Sequence, residues 1–286
     1  MPSASASPQL MNATTTLRAL VIGAVSGWLA WRVGLPLPWM LGPMIGTTIA
    51  ALCGANIRPP MGLRPLVIPV IGVLLGAGFT PAMLDAVGGW LTTLALLVPF
   101  LIVAGGASFI VYRRIGTYEP TTAFFSAMPG GLNEMLIVGE EAGGDGKRIA
   151  LAHATRILIV IACVALFFGL VLGIRANAGA DTFVGFSDLT GLDYVLLTLS
   201  AVLGTIVARW LKLPAAPVMG PMLLSGLVHI TGWVTVPPPS LVVIAAQIIL
   251  GTTIGCRFVG STLAEIGRDL WLGLLSSLAM IFVAVG

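Results

Sequence analysis

The stretch FFSAMPGGLNEM, residues 124–135, interrupts an apolar chain with a proline, two glycines and a carboxylate. Pro129 cannot donate a backbone hydrogen bond, and Gly130 and Gly131 permit a sharp turn. Irregular backbone at membrane depth persists only where protein or a water-filled cavity satisfies its polar groups. The stretch therefore predicts a re-entrant hairpin over residues 119–140, with a tip that lines a polar cavity.

The composition around this stretch is that of an integral membrane protein. Of the 286 residues, 57% are hydrophobic and 9% are charged, and the mean hydropathy is +1.04. Soluble domains carry roughly 25% charged residues. Helical periodicity prevails, without competing strand alternation. We therefore predict an all-α, polytopic membrane protein. Its apolar segments are 17–33, 38–56, 65–82, 88–112, 119–140, 149–174, 191–210, 214–232, 240–257 and 268–286.

The two ends of the chain give further expectations. Residues 1–16 are rich in Ser, Ala and Thr and contain no charged side chain, which predicts a disordered tail rather than a signal peptide. We expect a first transmembrane repeat over 17–174, a connecting loop over 175–190 and a second repeat over 191–286. The chain ends inside an apolar run, so the second repeat is expected to be incomplete.

Two apolar segments repeat at a constant offset. LPLPWMLGPMIGTTIAALCG, residues 35–54, aligns without a gap with LPAAPVMGPMLLSGLVHITG, residues 213–232, at an offset of 178. The shared motif is Gly-Pro-Met, at Gly42, Pro43 and Met44 and at Gly220, Pro221 and Met222. A duplication explains this match. Because proline removes a helical hydrogen bond, the motifs predict two interrupted helices that approach each other near the bilayer middle, or alternatively two kinked packing helices.

The positions of arginine and lysine orient the two copies. If residues 119–140 dip in and return, eleven of these cations outside the spans face the cytoplasm, and only Arg32 and Arg175 face out. If every segment crosses, six cations face inside and seven outside. The positive-inside rule favours the first model, with a cytoplasmic N-terminus. Five crossings then precede the second copy, which makes the repeat inverted, as in many secondary transporters.

Polar residues inside apolar segments are the candidate substrate-binding or ion-binding residues, because ionisable groups at membrane depth are costly. Asn133 and Glu134 follow the break, where Glu134 either binds a proton or cation or lies at the interface as a cap. His153 and Arg156 lie one helical turn apart. Arg156 pairs with Glu134, holds an anionic substrate or snorkels to the interface. Gln247 reaches such a site or forms a hydrogen bond between helices.

The sequence argues against an enzyme. It contains no GxSxG, HExxH or phosphate-loop pattern. Its two histidines are 76 positions apart, whereas a metal oxygenase normally needs several His or carboxylate ligands. Cys53, Cys163 and Cys256 are isolated, without a CxxC motif. We expect no metal and no cofactor. The net charge of +3 is scattered, so no nucleic-acid partner is expected either. The expected partners are the lipid bilayer and an unidentified small solute, with homo-oligomerisation left open.

The motifs LPWMLGPM, AMPGGLNEM and HATR, with the second GPM, together resemble the AbrB-duplication family of bacterial membrane proteins. The resemblance begins near residue 17 and implies a multi-pass protein of the bacterial inner membrane. Labels used for the family are ammonia monooxygenase and AbrB-type regulator of gene expression. Metal ligands and a DNA-binding module are both missing from the sequence. Members carry a second Pro-Gly-Gly hairpin near the C-terminus, which this chain does not reach.

Two functions follow from these observations. The inverted repeat and the hairpin favour a secondary transporter or exporter of a small solute, coupled to ions or protons. The family label favours a membrane-embedded regulatory or sensory protein. The two differ in one respect that can be measured, because a transporter moves solute without a partner protein.

Overall fold

A computed structural model describes residues 8–35, 37–81, 83, 87–167, 183–260 and 262–285. All regular secondary structure within these ranges is helical. In chain order the α-helices are α1 Pro8–Arg32, α2 Pro38–Leu52, α3 Arg64–Ala77, α4 Val87–Ile110, α5 Pro120–Ala127, α6 Leu132–Glu141, α7 Gly146–Leu166, α8 Gly191–Trp210, α9 Ala216–Ile230, α10 Ser240–Gly255 and α11 Leu263–Val285. A π-helical turn, Val111–Ile115, continues α4, and 3-10 turns lie at Phe186–Asp188 and Cys256–Phe258.

Four of the described helical stretches are long and apolar enough to cross a membrane, which agrees with the predicted helical membrane protein. They are Ala13–Arg32, Leu94–Ile115, Gly191–Trp210 and Ser240–Phe258. The outward face of α8 shows the expected chemistry, with exposed aliphatic residues at helical spacing: Val195, Leu199, Val202 and Ile206. Small residues of the same helix face inward, including Ser200 and Gly204. Apolar surface of this kind suits a lipid environment.

The structure differs from the predicted N-terminal tail over residues 8–16. Helix α1 begins at Pro8, so residues 8–16 are helical, and residues 1–7 lie outside the described part of the chain. Proline is favoured in the first turn of a helix, where its missing N–H costs nothing. Thr15 is buried, and its carbonyl accepts a hydrogen bond from the Arg58 amide at 3.4 Å. This contact joins the backbone at Thr15 to the loop that follows α2, which the composition of the segment alone does not indicate.

The predicted helix interruptions at the Gly-Pro-Met motifs are also wrong, because α2 continues through Pro43 and α9 through Pro221. Each proline lies in the second turn, so its missing N–H removes only a bond to a carbonyl of the first turn. A proline ring also clashes with the Cβ of the preceding residue. Gly42 and Gly220 have no Cβ, which lets both helices continue.

The backbone around the two motifs recurs at the same offset as the sequence. The bounds of α9, Ala216–Ile230, are those of α2, Pro38–Leu52, shifted by 178. Leu37 before α2 has φ 48°, and Ala215 before α9 has φ 46°. Gly54 after α2 has φ 78°, and Gly232 after α9 has φ 75°. Positive φ is uncommon for residues such as leucine and alanine, so this recurrence is specific.

Each Gly-Pro-Met helix packs against a helix from the other half of the sequence. A Cβ on Gly72 of α3 would lie 2.5 Å from the Val218 carbonyl oxygen of α9. A Cβ on Gly251 of α10 would overlap the Met40 carbonyl oxygen of α2. Met40 and Val218 are themselves related by the offset of 178. The two close contacts are therefore reciprocal.

The helices form two compact units, and each unit draws on both halves of the sequence. The first unit comprises Met1–Thr47, Ile57–Val87 and Arg175–Gly255. The second comprises Thr48–Asn56, Gly88–Ile174 and Cys256–Gly286. The Gly-Pro-Met motifs belong to the first unit and the Pro-Gly-Gly stretch to the second. The division into sequence repeats, 17–174 and 191–286, concerns the duplication and stays a prediction.

Candidate functional site

The Pro-Gly-Gly stretch separates two short helices of the second unit. Helix α5 ends at Ala127, Met128 and Gly131 are extended with ψ 133° and 130°, and α6 begins at Leu132. The helices have 8 and 10 residues, or about 12 and 15 Å at 1.5 Å per residue. A bilayer core is about 30 Å thick, so neither helix is long enough to cross it.

The two ends of this helical hairpin lie side by side. The Asp145 amide, just after α6, donates to Thr122 Oγ1 in the first turn of α5 at 3.0 Å. A Cβ on Gly139, in the last turns of α6, would lie 3.2 Å from the Phe125 ring of α5. Helix α6 therefore returns along α5 to the place where α5 began.

Helix α7 holds the end of α5 through its backbone. The last carbonyls of an α-helix have no partner within the helix. His153 Nε2 donates to the Phe125 carbonyl oxygen at 2.8 Å. The Arg156 guanidinium donates to the next three carbonyl oxygens, of residues 126, 127 and 128, at 2.6, 3.0 and 3.2 Å. Two side chains one turn apart thus satisfy four consecutive carbonyls, and a cation faces the negative end of the helix dipole.

These contacts decide part of the sequence interpretation. His153 and Arg156 both contact backbone carbonyls of the hairpin, and their roles in binding a substrate or ion stay predictions. The side chains of Asn133 and Glu134 lie outside the described residues, so the pairing of Glu134 with Arg156 stays a prediction. A lone histidine more often serves as a hydrogen-bond partner than as a ligand, and His153 has such a partner.

Polar atoms beside the Arg156 contacts are buried without a hydrogen-bond partner within the described part of the chain. They are the hydroxyls of Tyr112, Ser126 and Thr155 and the Nε of Arg156. Tyr112, Ser126 and Thr155 are fully buried. Every one of these groups can donate a hydrogen bond. Buried donors of this kind would be satisfied by an acceptor, such as a carboxylate or an anionic solute.

The tip of the hairpin is open. Pro129, Gly130 and Gly131 are exposed, although the four carbonyls before them are capped. A Cβ on Gly105 of α4 would lie 3.1 Å from the Met128 side chain, so α4 approaches one flank of the tip. The tip therefore combines an accessible backbone with a fixed base.

The candidates of the first unit have packing roles in the structure. Gly42, Pro43, Met44, Gly220 and Pro221 are buried, and Met222 is partly buried. A Cβ on Gly42 would lie 2.5 Å from the Ser26 carbonyl oxygen, and one on Gly220 would overlap the Gly204 carbonyl oxygen. Gln247 is buried within α10. The expected approach of the two motifs to each other stays a prediction.

Sequence reasoning missed a polar cluster at the base of the hairpin. The Tyr118 hydroxyl donates to Asp269 Oδ1 at 2.6 Å, and Arg113 donates to the Tyr118 carbonyl oxygen at 2.8 Å. Burial and the hydrogen bond to Asp269 raise the pKa of Tyr118 above its usual value, so its hydroxyl stays protonated and keeps donating. Asp269 is a buried carboxylate on α11, beside the apolar run of that helix. A carboxylate beside an apolar run was the sequence signal that could have identified this cluster.

Comparison with known proteins gives consistent matches. A family model described as "Transition state regulatory protein AbrB" matches residues 39–286, which include the hairpin and both Gly-Pro-Met motifs. The "Uncharacterized protein YhjN" of Bacillus subtilis is 26% identical, over 94% of this chain and 76% of the relative. The "Putative regulator AbrB" of Escherichia coli is 26% identical, over 91% of this chain and 74% of the relative.

Proposed function

The chain belongs to the AbrB family, and from that premise we propose that it is a multi-pass inner-membrane transporter or exporter of a small polar solute. The observation that carries the proposal is the hairpin of the second unit. A half-helix ends inside the protein, its carbonyls are held by His153 and Arg156, and its tip is exposed. Half-helices that end at the substrate site are characteristic of secondary transporters.

The unpartnered donors beside Arg156 support a solute with hydrogen-bond acceptors. A buried donor without a partner costs roughly 1–3 kcal/mol, and the Tyr112 hydroxyl and Arg156 Nε are two such groups that lie near each other. A bound carboxylate or other anion would satisfy them and would also face a guanidinium. An anionic metabolite is therefore the solute class that the site favours.

This site predicts opposite effects of Tyr112→Phe on stability and on binding. Removing this hydroxyl, which lies near the Arg156 guanidinium but makes no hydrogen bond of normal geometry within the described residues, should leave the melting temperature of the solute-free protein unchanged or slightly higher. The same change should weaken solute binding about tenfold, the effect of roughly 1.4 kcal/mol. Solute-dependent thermal stabilisation of the purified protein across a metabolite panel first identifies the ligand, and flux into proteoliposomes then tests transport. The matched control is Tyr194→Phe, whose hydroxyl is bonded to the Phe186 carbonyl in the other unit.

One result would count against the transporter, and another against its site at the hairpin. The first is a panel in which no metabolite stabilises the protein. The second is a stabilising solute that binds equally well to the Tyr112→Phe and Tyr194→Phe variants. The second outcome would place the solute away from the hairpin.

The duplication is proposed to be inverted. The recurrence of helix bounds and φ values at an offset of 178 supports a common origin of the two copies. The reciprocal contacts of Gly72 with Val218 and of Gly251 with Met40 support a two-fold relation. The charge asymmetry of the loops supports opposite orientations in the membrane and a cytoplasmic N-terminus.

The re-entrant hairpin predicts that Arg114 and Glu141 lie on the same side of the membrane. Both are exposed and flank the hairpin, whose ends meet through Asp145 and Thr122. We expect single cysteines at the two positions to react with a membrane-impermeant maleimide from the same side of oriented vesicles. Native Cys53, Cys163 and Cys256 are first replaced by serine. Arg32→Cys is the control, and we expect it to be labelled from the opposite side of the membrane. Labelling of Arg114→Cys and Glu141→Cys from opposite sides would exclude the re-entrant hairpin.

A membrane-embedded regulator of gene expression is the second candidate, and the name of the Escherichia coli relative, "Putative regulator AbrB", favours it. A regulator binds its solute without moving it and passes the signal to another protein. Saturable solute binding without flux in proteoliposomes would therefore favour the regulator over the transporter.

A further inference from the structure

A charged cavity lies at the base of the hairpin, apart from the Arg156 contacts. Its volume is about 180 Å³, which is large enough for a tetrahedral oxyanion with a few waters. The polar residues of its lining come from both ends of the hairpin and from α11. They are Tyr118, Asp145, Lys147, Arg148, Arg268 and Asp269. No residue of this set belongs to the solute site proposed above.

The charges of the lining are arranged in favour of an anion. Three cations face two carboxylates, so the formal charge of the lining is +1. Arg148 Nε lies 3.3 Å from Asp145 Oδ2, and Asp269 accepts the hydrogen bond from Tyr118. Both carboxylates are thus already engaged within the lining, while the positive charge remains in excess.

The Tyr118 ring forms a platform for two guanidinium groups. The Arg148 and Arg268 guanidinium carbons lie 5.0 and 5.9 Å from the ring centroid, within the range of cation–π attraction. Arg268 also donates through one terminal nitrogen to the Gly116 carbonyl and to Thr117 Oγ1. A guanidinium has five N–H donors, and these contacts use only one of its three nitrogens. The side chain is held in place with donors to spare.

The N-terminus of α7 adds to the positive potential. Asp145 precedes the helix and caps it, because its Oδ1 accepts a hydrogen bond from the Arg148 amide at 3.1 Å. Lys147 and Arg148 therefore lie in the first turn of a helix of 21 residues, where the dipole is positive. Cations at a helix N-terminus are unfavourable for the helix itself, so an anion bound beside them would offset this repulsion.

We propose that this cavity binds a phosphate-class oxyanion, supplied either by the headgroup of an anionic lipid or as free phosphate. Arginine and lysine are the side chains that recognise phosphate oxygens, with arginine able to donate two parallel bonds. The lipid source has one further support. Trp271, one turn after Arg268, is 57% exposed, as tryptophans at a membrane interface are. Basic pockets between helices at that level bind lipid headgroups.

The test is equilibrium binding of inorganic phosphate to delipidated protein in a neutral detergent. Calorimetry should detect saturable binding that chloride at equal ionic strength does not reproduce. Lys147→Gln and Arg268→Gln should each weaken this binding at least tenfold. Lys212→Gln removes an exposed lysine of the first unit and should leave it unchanged. Arg268→Lys, which keeps the charge, should restore part of the affinity and controls for misfolding of the glutamine variant.

Nanodiscs distinguish the two sources of the anion. If phosphatidylglycerol abolishes phosphate binding while phosphatidylcholine does not, the headgroup occupies the cavity. If phosphate binds equally in both, the free ion is the ligand. The proposal is overturned if neither phosphate nor the anionic lipid binds above its control, or if Lys147→Gln and Lys212→Gln behave alike. Lys147→Gln lies outside the solute site and should leave the solute-dependent stabilisation of the transport proposal unchanged, so the two results are separable.

Discussion

Replacing Arg156 by methionine should lower the free energy of unfolding by at least about 3 kcal/mol and abolish solute flux. The guanidinium donates to three consecutive carbonyls at the end of α5, and methionine fills similar space without any donor. Each carbonyl left without a donor costs roughly 1–3 kcal/mol. The hairpin loses its hold on α7, and its exposed tip loses its fixed position. Chemical denaturation in detergent micelles measures the change.

Two further variants serve as a control and as a partial rescue. Arg114→Met removes an exposed arginine from the π-helical turn of the same unit and should change stability by less than about 0.5 kcal/mol. Arg156→Lys keeps a charge and three N–H donors and should recover part of the loss. If the Arg156→Met and Arg114→Met variants have the same free energy of unfolding, the Arg156 guanidinium does not hold the hairpin in place.

Substituting Gly220 by alanine should cost about 3 kcal/mol or more, because the added methyl group overlaps backbone rather than a movable side chain. Its nearest neighbours are the Gly204 carbonyl and the Ala208 Cβ on α8. The two helices must separate to accept it, and the packing of the first unit is lost along their contact. Gly42→Ala should behave in the same way, since its Cβ would lie 2.5 Å from the Ser26 carbonyl oxygen. Thermal melting of the purified variants measures both.

The matched control for these glycines is Gly106→Ala on α4, where an added Cβ meets nothing within 4 Å. Alanine is the better helix former by about 1 kcal/mol, so this variant should be neutral or slightly stabilised. Opposite signs for Gly220→Ala and Gly106→Ala are the expected result. Equal melting temperatures would show that close helix approach does not limit stability at Gly220.

The sequence by itself determined the helical, apolar class of the protein and the positions of several of its helices. Apolar residues at helical spacing placed α8 at 191–210, the same bounds that the structure has. The break at Pro129, Gly130 and Gly131 also lies where the sequence predicts it. The sequence match at an offset of 178 anticipated the shared bounds of α2 and α9. These features are local, because hydrophobic periodicity and the backbone limits of proline and glycine act over a few residues.

Only the tertiary structure decided what the polar and small residues contact. The sequence left three roles open for Arg156, and in the structure its guanidinium donates to the carbonyls of residues 126–128, nearly thirty positions away. It also carried α2 and α9 through their prolines and extended α1 back to Pro8. Such outcomes depend on which unpaired backbone groups and close surfaces meet after the helices pack. These contacts join segments that are far apart in the chain, so a local sequence pattern does not predict them.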